Sequence, residues 1–565
     1  MTQPKPLWMA RLVGTQAEMG AQHGRLAARE AAALLAFYKT MPERTLAGDM
    51  RGIAGLAGRT AVRGLATAWQ ARLLRDRPAD FAERSRAFVD AVAAAGELGS
   101  KRDGLLALAT MDSMQNCVSL VARARLGPFT HAIAGRAAAA AVPACSTVIA
   151  WGDATESGEL LFARNFDFPG VGVWDAAPAF VVCKPDHGQS YGFFATRGAD
   201  TPVVTVVNEA GLVLAPHTRW HRDVTFGGTM IVDLVHSIAR RAETLDDAVR
   251  IARELKASSS WGIAIGSARE KSALVLELAG PHVDVVRAHG SYLVCANRYR
   301  SPSLQAGEFA ASAAWSIHSD RREQRLRGLV EARTAPLTAR TLAGFLGDRR
   351  DVAAPQLSRH LGAIVAQSAN VHCAVIAPAS RSAWVGVDRA PCCEGTWAEL
   401  RWSWAGPAGA WHLGESAGSG FDATTRDDFA APHDAATLHV HDAARAYEGA
   451  HDVAAARIAI ERAVAIAPED PSLRITAAWL ALEEGAADRA IAHVHAGLAA
   501  ETEAYRRGQL LLWGSRAAQR LDPALARRWS DELSRLSGDG VDELKAARGP
   551  WRRRPHVNLM MSDAY

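Results

Sequence analysis

The sequence predicts an α+β protein, and three observations carry the prediction. Residues 25–126 are rich in Ala, Leu and Arg with helical spacing, as in FAERSRAFVDAVAAAGELG. From Cys145 to about Trp404 the pattern changes to short β-branched runs with polar punctuation, among them AFVVCK, VVTVV, GLVLAP, GIAIG and ALVLEL. From about Asp434 to Leu536 an Ala-rich helical pattern returns. The 565 residues thus divide into a helical N-terminal part (1–144), a strand-rich core (145–405), a Gly/Ala/Asp-rich linker (406–433), a helical domain (434–540) and a tail (541–565).

Taken in order, Leu12-Val13-Gly14 followed by Gly20, His23 and Gly24 reads as a short strand running into a helix, with the glycines permitting close packing. The helical stretch that follows reads as a pro-segment. Its alternative is an ordinary helical domain with no processing role.

The next stretch organises the chain. Cys145, Ser146 and Thr147 head a β-prone run through Trp151, Asp153–Gly158 is turn-like, and a second strand from Leu160 returns to Arg164, Asn165 and Asp167. Antiparallel partners around a short connection face each other, so a hairpin brings a thiol, a guanidinium and a carboxylate to one strand end. Further on, MIVDLVHSIARRAETLDDAVRIARELK reads as a helical pair with Thr244 capping the second, and SDRREQRLRGLVEAR as a helix starting at Ser319.

In the last third, two segments superpose at a shift of 34 residues, which places Ala456 on Ala490 and Ile460 on Val494, and the first unit closes at Pro468 and Pro471. This period resembles tetratricopeptide repeats, a plain helical bundle being the alternative.

Composition narrows the function classes. Lys and Arg total 64 against 60 for Asp and Glu, a net charge of only +4, which gives no electrostatic case for nucleic acid; Arg552-Arg553-Arg554 reads as a solvated tail. Seven irregularly spaced cysteines make neither a disulfide framework nor a zinc pattern, so no metal and no cofactor are expected. A reducing compartment fits them, and with no apolar signal segment in MTQPKPLWMARLVG the expectation is the cytoplasm. The longest uncharged run, Ala137–Trp151, is broken by Pro143 and too short to span a bilayer.

Cys145-Ser146 with Arg164-Asn165-Phe166-Asp167 resembles the N-terminal-nucleophile amidohydrolases, and most closely the acyl-coenzyme A:6-aminopenicillanic acid acyltransferase family (peptidase C45-like), with choloylglycine hydrolases and penicillin V acylases more distant. Asn208-Glu209-Ala210-Gly211-Leu212, Ser260-Trp261, Ala296-Asn297-Arg298-Tyr299 and Ser319-Asp320-Arg321-Arg322 resemble further landmarks of that family in the same order, with Arg298 standing where histidine is usual. The resemblance covers about residues 10–404 and implies a four-layer α/β/β/α sandwich.

It also implies a mechanism. A cysteine thiol near pKa ~8.5 needs a base, and an N-terminal amine near ~7.7–8.0 can be one. Cleavage between Ala144 and Cys145 would put nucleophile and base on one residue. By resemblance Cys145, Arg164, Asp167, Asn297 and Arg322 are the catalytic group, with Thr218, Asn208 and Ser319 as oxyanion or substrate contacts. Asp167 would orient the amine, Arg164 would hold the thiolate and Asp167, Arg322 would brace the cluster, and Asn297 with a donor near Thr218 would bind the oxyanion.

The function expected is a self-processing amidohydrolase or acyltransferase that forms a Cys145 thioester from a small acyl amide or acyl thioester. An ester or lipid hydrolase on the same fold is one alternative. The other is a non-catalytic scaffold that binds a protein partner, or itself, through the C-terminal helices. His217, His221 and His318 are read as surface or hydrogen-bonding residues, and Cys183, Cys295 and Cys373 as packing residues.

Overall fold

The computed structural model describes residues 7–47, 52–123, 144–223, 225–309, 313–415, 418–547 and 559–561. The end of the expected pro-segment, Pro143 included, and the Arg552–Arg554 run lie outside the described residues.

Two large sheets form the centre. The first has nine strands, in the order His282–Arg287, Ser272–Ala279, Ser260–Ser267, Leu212–Thr218, Thr205–Asn208, Tyr191–Thr196, Pro178–Pro185, Trp8–Gly14 and Gly409–His412. The second has seven, in the order Tyr292–Cys295, Ala144–Ala150, Leu161–Asp167, Asn370–Ala377, Ser382–Gly386, Gly395–Trp402 and Phe421–Ala431. Neighbours are antiparallel except Trp8–Gly14 beside Pro178–Pro185, which run parallel.

Alternation along each strand decides which layer a side chain joins. Met9, Phe180, Val182, Ile149, Phe162, Ile376 and Leu400 share one apolar cluster drawn from both sheets. Their neighbours Ala10, Leu12, Val181 and Cys183 join a second cluster with Ile231–Arg241 and Leu245–Leu255, two helices on the nine-stranded sheet. Val148, Ala163 and Val375 join a third with Leu326, Val330 and Leu342, from the helices Ala313–Glu331 and Ala339–Leu346.

Local signals act as their chemistry dictates. Thr244 caps its helix in a reciprocal box with Asp247, and Thr15 does the same with Glu18 for Gln16–Leu26. Gly20 and Gly24 let Gln16–Leu26 lie against Ala79–Ala94, since a Cβ at Gly20 would sit 2.2 Å from the Arg84 carbonyl oxygen. The helix bearing Ser319 starts earlier than expected, at Ala313. Ala314, Trp315 and Ile317 bury against the C-terminal helices, and that burial extends the helix over a stretch whose sequence shows only a cap-like Ser-Asp.

The linker expected at 406–433 is corrected by the structure: it completes both sheets. Gly409–His412 pairs with Trp8–Gly14, and Phe421–Ala431 with Gly395–Trp402. Phe421 and Ala423 point into the inter-sheet cluster. The buried Arg11 guanidinium donates to the carbonyls of Ser403 (2.8 Å), Pro407 (3.4 Å) and Ser419, tying the connection down. Few apolar residues were needed for these edge strands, so the composition concealed them.

The C-terminal region is helical, from Ala435–Ala444 to Val541–Ala546, and Asp434, Asp452, Asp470, Glu503 and Asp522 cap its helices. It is docked rather than separate. Its apolar cluster takes in Ala144, Trp220, Phe309, Trp315 and Leu361. Arg359 meets Glu501 through two bonds of 2.8 and 2.9 Å, both side chains fully buried. His360 sits between Asp470 (2.8 Å) and Asp434 (2.9 Å), and these carboxylates hold its pKa up against burial, which lowers it. No helix among the described residues is long and apolar enough to cross a membrane.

Candidate active site

The hairpin forms in the register that the sequence suggests: Ala144 faces Asp167, Cys145 faces Phe166, and Thr147 faces Arg164. Alternation then sends Cys145, Thr147 and Arg164 to one face of the strand pair and Ala144, Ser146, Asn165 and Asp167 to the other. The nitrogen and carbonyl of Cys145 lie where groups from both faces can reach them.

From the first face, Arg164 donates through Nη2 to Cys145 Sγ at 3.2 Å and to the Pro216 carbonyl at 2.5 Å. From the other, Arg322 on the Ala313–Glu331 helix donates through Nη1 to the Cys145 carbonyl (2.7 Å) and to Ser146 Oγ (2.8 Å), and through Nη2 to Asn297 Oδ1 (2.9 Å). Asn297 Oδ1 also accepts the Cys145 N–H at 3.0 Å. Two donors facing one atom fix that atom as the amide oxygen, so Nδ2 points to the Thr218 carbonyl at 3.0 Å. Ser319 Oγ accepts the Asn297 N–H at 2.9 Å and sets the loop that carries it.

Asp167 Oδ1 accepts from Asn370 Nδ2 at 2.9 Å, while Oδ2 has no partner. The expected pairing of Arg164 with Asp167 is not formed among the described ion pairs, because residues three apart in a strand point to opposite faces. Burial pushes the Asp167 pKa up to about 7, against the pull of Arg322, Asn370 and Arg164. Burial likewise raises the Cys145 thiol, more than Arg164 and Arg322 lower it. In the uncut chain the sulfur is a neutral thiol in need of a base.

All five residues read as catalytic meet at this strand end and are buried. The three read as contacts divide. Ser319 and Thr218 touch Asn297, Thr218 as an acceptor rather than as an oxyanion donor. Asn208 is elsewhere: its Nδ2 donates to the carbonyls of Ala239 (3.0 Å) and Ala242 (2.8 Å) and its Oδ1 accepts from Leu212, so it ties a turn to a helix end. Arg298 leaves the site for Glu308 and Asp320.

Sequence reasoning missed Asn370. Asn370 lies across the hairpin from Asp167 in an antiparallel neighbour, and a buried carboxylate's need for a donor is the signal that could have found it. Of the two readings given to His217, surface or hydrogen-bonding, the structure bears out the second: it is buried, 2.9 Å from Thr147 Oγ1. Burial first, then Arg164, Arg219 and Arg322, hold its pKa well below the usual value, so it is neutral and not a cation for the thiolate. Asn165 donates to the carbonyls of Leu346 and Val365, anchoring its strand to the outer helix layer. Among the described residues no cluster of His, Cys, Asp and Glu could hold a metal ion.

No curated protein matches the chain. Among solved structures it is similar to the Caenorhabditis elegans N-acylethanolamine-hydrolyzing acid amidase (NAAA) ortholog, at 12% identity and a TM-score of 0.29, covering 41% of this chain and 93% of that one. The family its motifs resemble is the one whose model matches part of it: residues 154–390, which carry Arg164, Asp167, Asn297 and Arg322, are similar to the family described as Acyl-coenzyme A:6-aminopenicillanic acid acyl-transferase.

Proposed function

We propose that the protein is a cysteine N-terminal-nucleophile enzyme that cuts itself before Cys145 and then transfers or hydrolyses an acyl group through a Cys145 thioester. One observation carries the reading: the nitrogen, carbonyl and sulfur of Cys145 each have a dedicated polar partner, while Asp167 Oδ2 and Arg164 Nη1 beside them stay unpaired. Buried polar groups are almost always satisfied, so these two await a group that the uncut chain lacks.

In the first step Sγ would attack the Ala144 carbonyl carbon. The Ala144–Cys145 C–N bond breaks, the nitrogen takes the thiol proton, and water hydrolyses the resulting thioester. The freed amine would stay near Asn297 Oδ1 with Asp167 within reach to orient it. It would then accept the Sγ proton as Sγ attacks a substrate carbonyl and return a proton to the leaving amine, so that water or a second amine takes the acyl group. The second Nδ2 proton of Asn297, not used by Thr218, would face the oxyanion.

Several features support the finer parts of this reading. Apolar clusters on both sides of each sheet support the four-layer α/β/β/α sandwich of such enzymes. Helices Val453–Ile466 and Ala487–Ala500 are equal in length and start 34 residues apart (487 − 453), which supports a tetratricopeptide-like tail. Seven unpaired cysteines support the cytoplasm. The test is the intact mass of purified protein with N-terminal sequencing. Fragments starting at Met1 and Cys145 are expected, with Cys145→Ala left whole; an active wild type that stays as one uncut chain sinks the proposal. A panel of N-acyl amides, esters and acyl thioesters separates amide chemistry from ester or lipid hydrolysis, and a scaffold would acylate with none of them.

A further inference from the structure

On the helix Thr110–Arg123, Asp112, Gln115, Asn116 and Ser119 recur at helical spacing as a polar stripe, and all four are buried. Asp112 is accounted for. It accepts from Ser258 Oγ (3.0 Å), Ser259 Oγ (2.6 Å), Trp261 Nε1 (3.2 Å) and the Ile231 N–H (3.2 Å). The other three are not: both amide atoms of Gln115, both of Asn116 and the Ser119 hydroxyl have no hydrogen-bond partner. Orphaned polar atoms inside a protein are rare, and here five lie along one side of one helix.

A chain of contacts links the Asp112 end of the stripe to the nucleophile. Trp261, held by Asp112, lies opposite Thr218 in register, and the Thr218 carbonyl takes Asn297 Nδ2, whose own oxygen takes the Cys145 N–H. On the adjoining side of the same helix, Met114 and Cys117 join the apolar cluster that contains Cys145, and Val118 joins the one that contains Ala144.

The chemistry of the stripe defines what it takes. Two carboxamides and a hydroxyl offer donors and acceptors together, and none carries charge. The single carboxylate on the face already has its donors, so a charged ligand group would find no counter-ion there. We infer that Gln115, Asn116 and Ser119 recognise the uncharged polar half of the acyl compound, a portion bearing hydroxyl or carboxamide groups. This rests on the reading of Cys145 as the residue that takes the acyl group. It adds a specificity surface contributed by the part of the chain that precedes the nucleophile.

The test uses pairs of N-acyl amides that share one acyl group and differ in the amine half, hydroxyl-bearing against alkyl of the same length. Gln115→Met, Asn116→Leu and Ser119→Ala keep the volume and remove the hydrogen bonds, and a fragment starting at Cys145 certifies that each variant has folded. Wild type should favour the hydroxyl-bearing amide, and each variant should lower that preference by about ten- to a hundredfold, mainly through KM. Each variant should also melt at a higher temperature, because an unpaired buried polar group is gone. An unchanged preference together with a raised Tm means that the stripe held ordered water alone, and overturns the inference. Equal losses on both amides overturn it as well. Should wild type acylate with nothing, the Cys145 reading has failed and the stripe is judged by melting: a Tm rise on adding the hydroxyl-bearing amide, absent in Gln115→Met, supports it, and no rise overturns it.

Discussion

Two buried clusters in this molecule are built from the same residue types, a cysteine, an arginine and an aspartate, and they are finished differently. In one, Arg84 spends Nε and Nη2 on Asp200 at 2.9 and 2.5 Å and Nη1 on Gln16 and Tyr191, with Cys183 Sγ at 3.5 Å and His23 Nδ1 closing on Asp200 at 2.8 Å. In the other, Arg164 leaves Nε and Nη1 unpaired and Asp167 leaves Oδ2 unpaired. The carboxyl groups respond in opposite directions. Arg84 and His23 hold Asp200 well below the usual carboxylate range although burial pushes it up, whereas burial wins at Asp167 and lifts it to about 7. A buried cluster whose arginine and carboxylate are both fully paired holds layers together; one in which both keep unpaired atoms has capacity left for chemistry.

The largest effect that could break this comparison is on the two cysteines. Cys145→Ala should abolish self-cleavage and turnover outright, and Cys183→Ala should leave both intact, read by mass and by product release. Loss of cleavage in both variants would erase the distinction.

The aspartates come next. Asp167→Asn should lower turnover by about a hundredfold or more while the fold persists. Asp200→Asn should act on stability, by roughly 3–5 kcal/mol, because it strands the buried Arg84. Denaturant midpoints against initial rates for both variants check the split.

Titration sharpens the contrast further. The stability that depends on the raised Asp167 carboxyl is fully present below the unfolded value of 3.8 and is lost as pH rises to about 7, so Asp167→Asn should gain on wild type over that window. Asp200 has the opposite sign: its contribution is present above the unfolded carboxylate range and is lost as pH falls below it. Melting curves carried from pH 8 down to about pH 2 for both variants test the pair of signs.

The smallest effect is expected at Asn370. Its donor stabilises ionised Asp167, so Asn370→Ala should push that pKa higher and move the acid limb of kcat/KM toward alkaline pH, with only about a tenfold loss at the optimum. An acid limb that stays in place would remove Asn370 from the site.

Much of this comparison was legible in the chain and part of it was not. Cys145, Arg164 and Asp167 were readable because a hairpin fixes its own register, and Asn297 and Arg322 because their motifs keep family order. Cys183 packs in the apolar cluster as read, and its contact with the Arg84–Asp200 pair went unread because those two lie about a hundred residues away in one direction and seventeen in the other, and no local rule joins them. The strands at 409–412 and 421–431 were hidden by glycines and charges, since an edge strand needs an apolar side chain only where it meets the core. Asn208 showed the reverse: a motif in family order whose side chain is spent on turn geometry.

The strand Trp8–Gly14 lies inside the nine-stranded sheet, with Pro178–Pro185 on one side and Gly409–His412 on the other. A cut before Cys145 would therefore not release the first piece, which stays laced between two strands of the second. It would, however, erase the covalent instruction that put it there. Refolding would then require two chains to find each other and place one strand between two strands of the other chain, a bimolecular search in place of a local one. The processed protein should behave as a one-way assembly: folded once as a single chain, durable while intact, and unable to recover its activity from denaturant as readily as uncut Cys145→Ala recovers its shape.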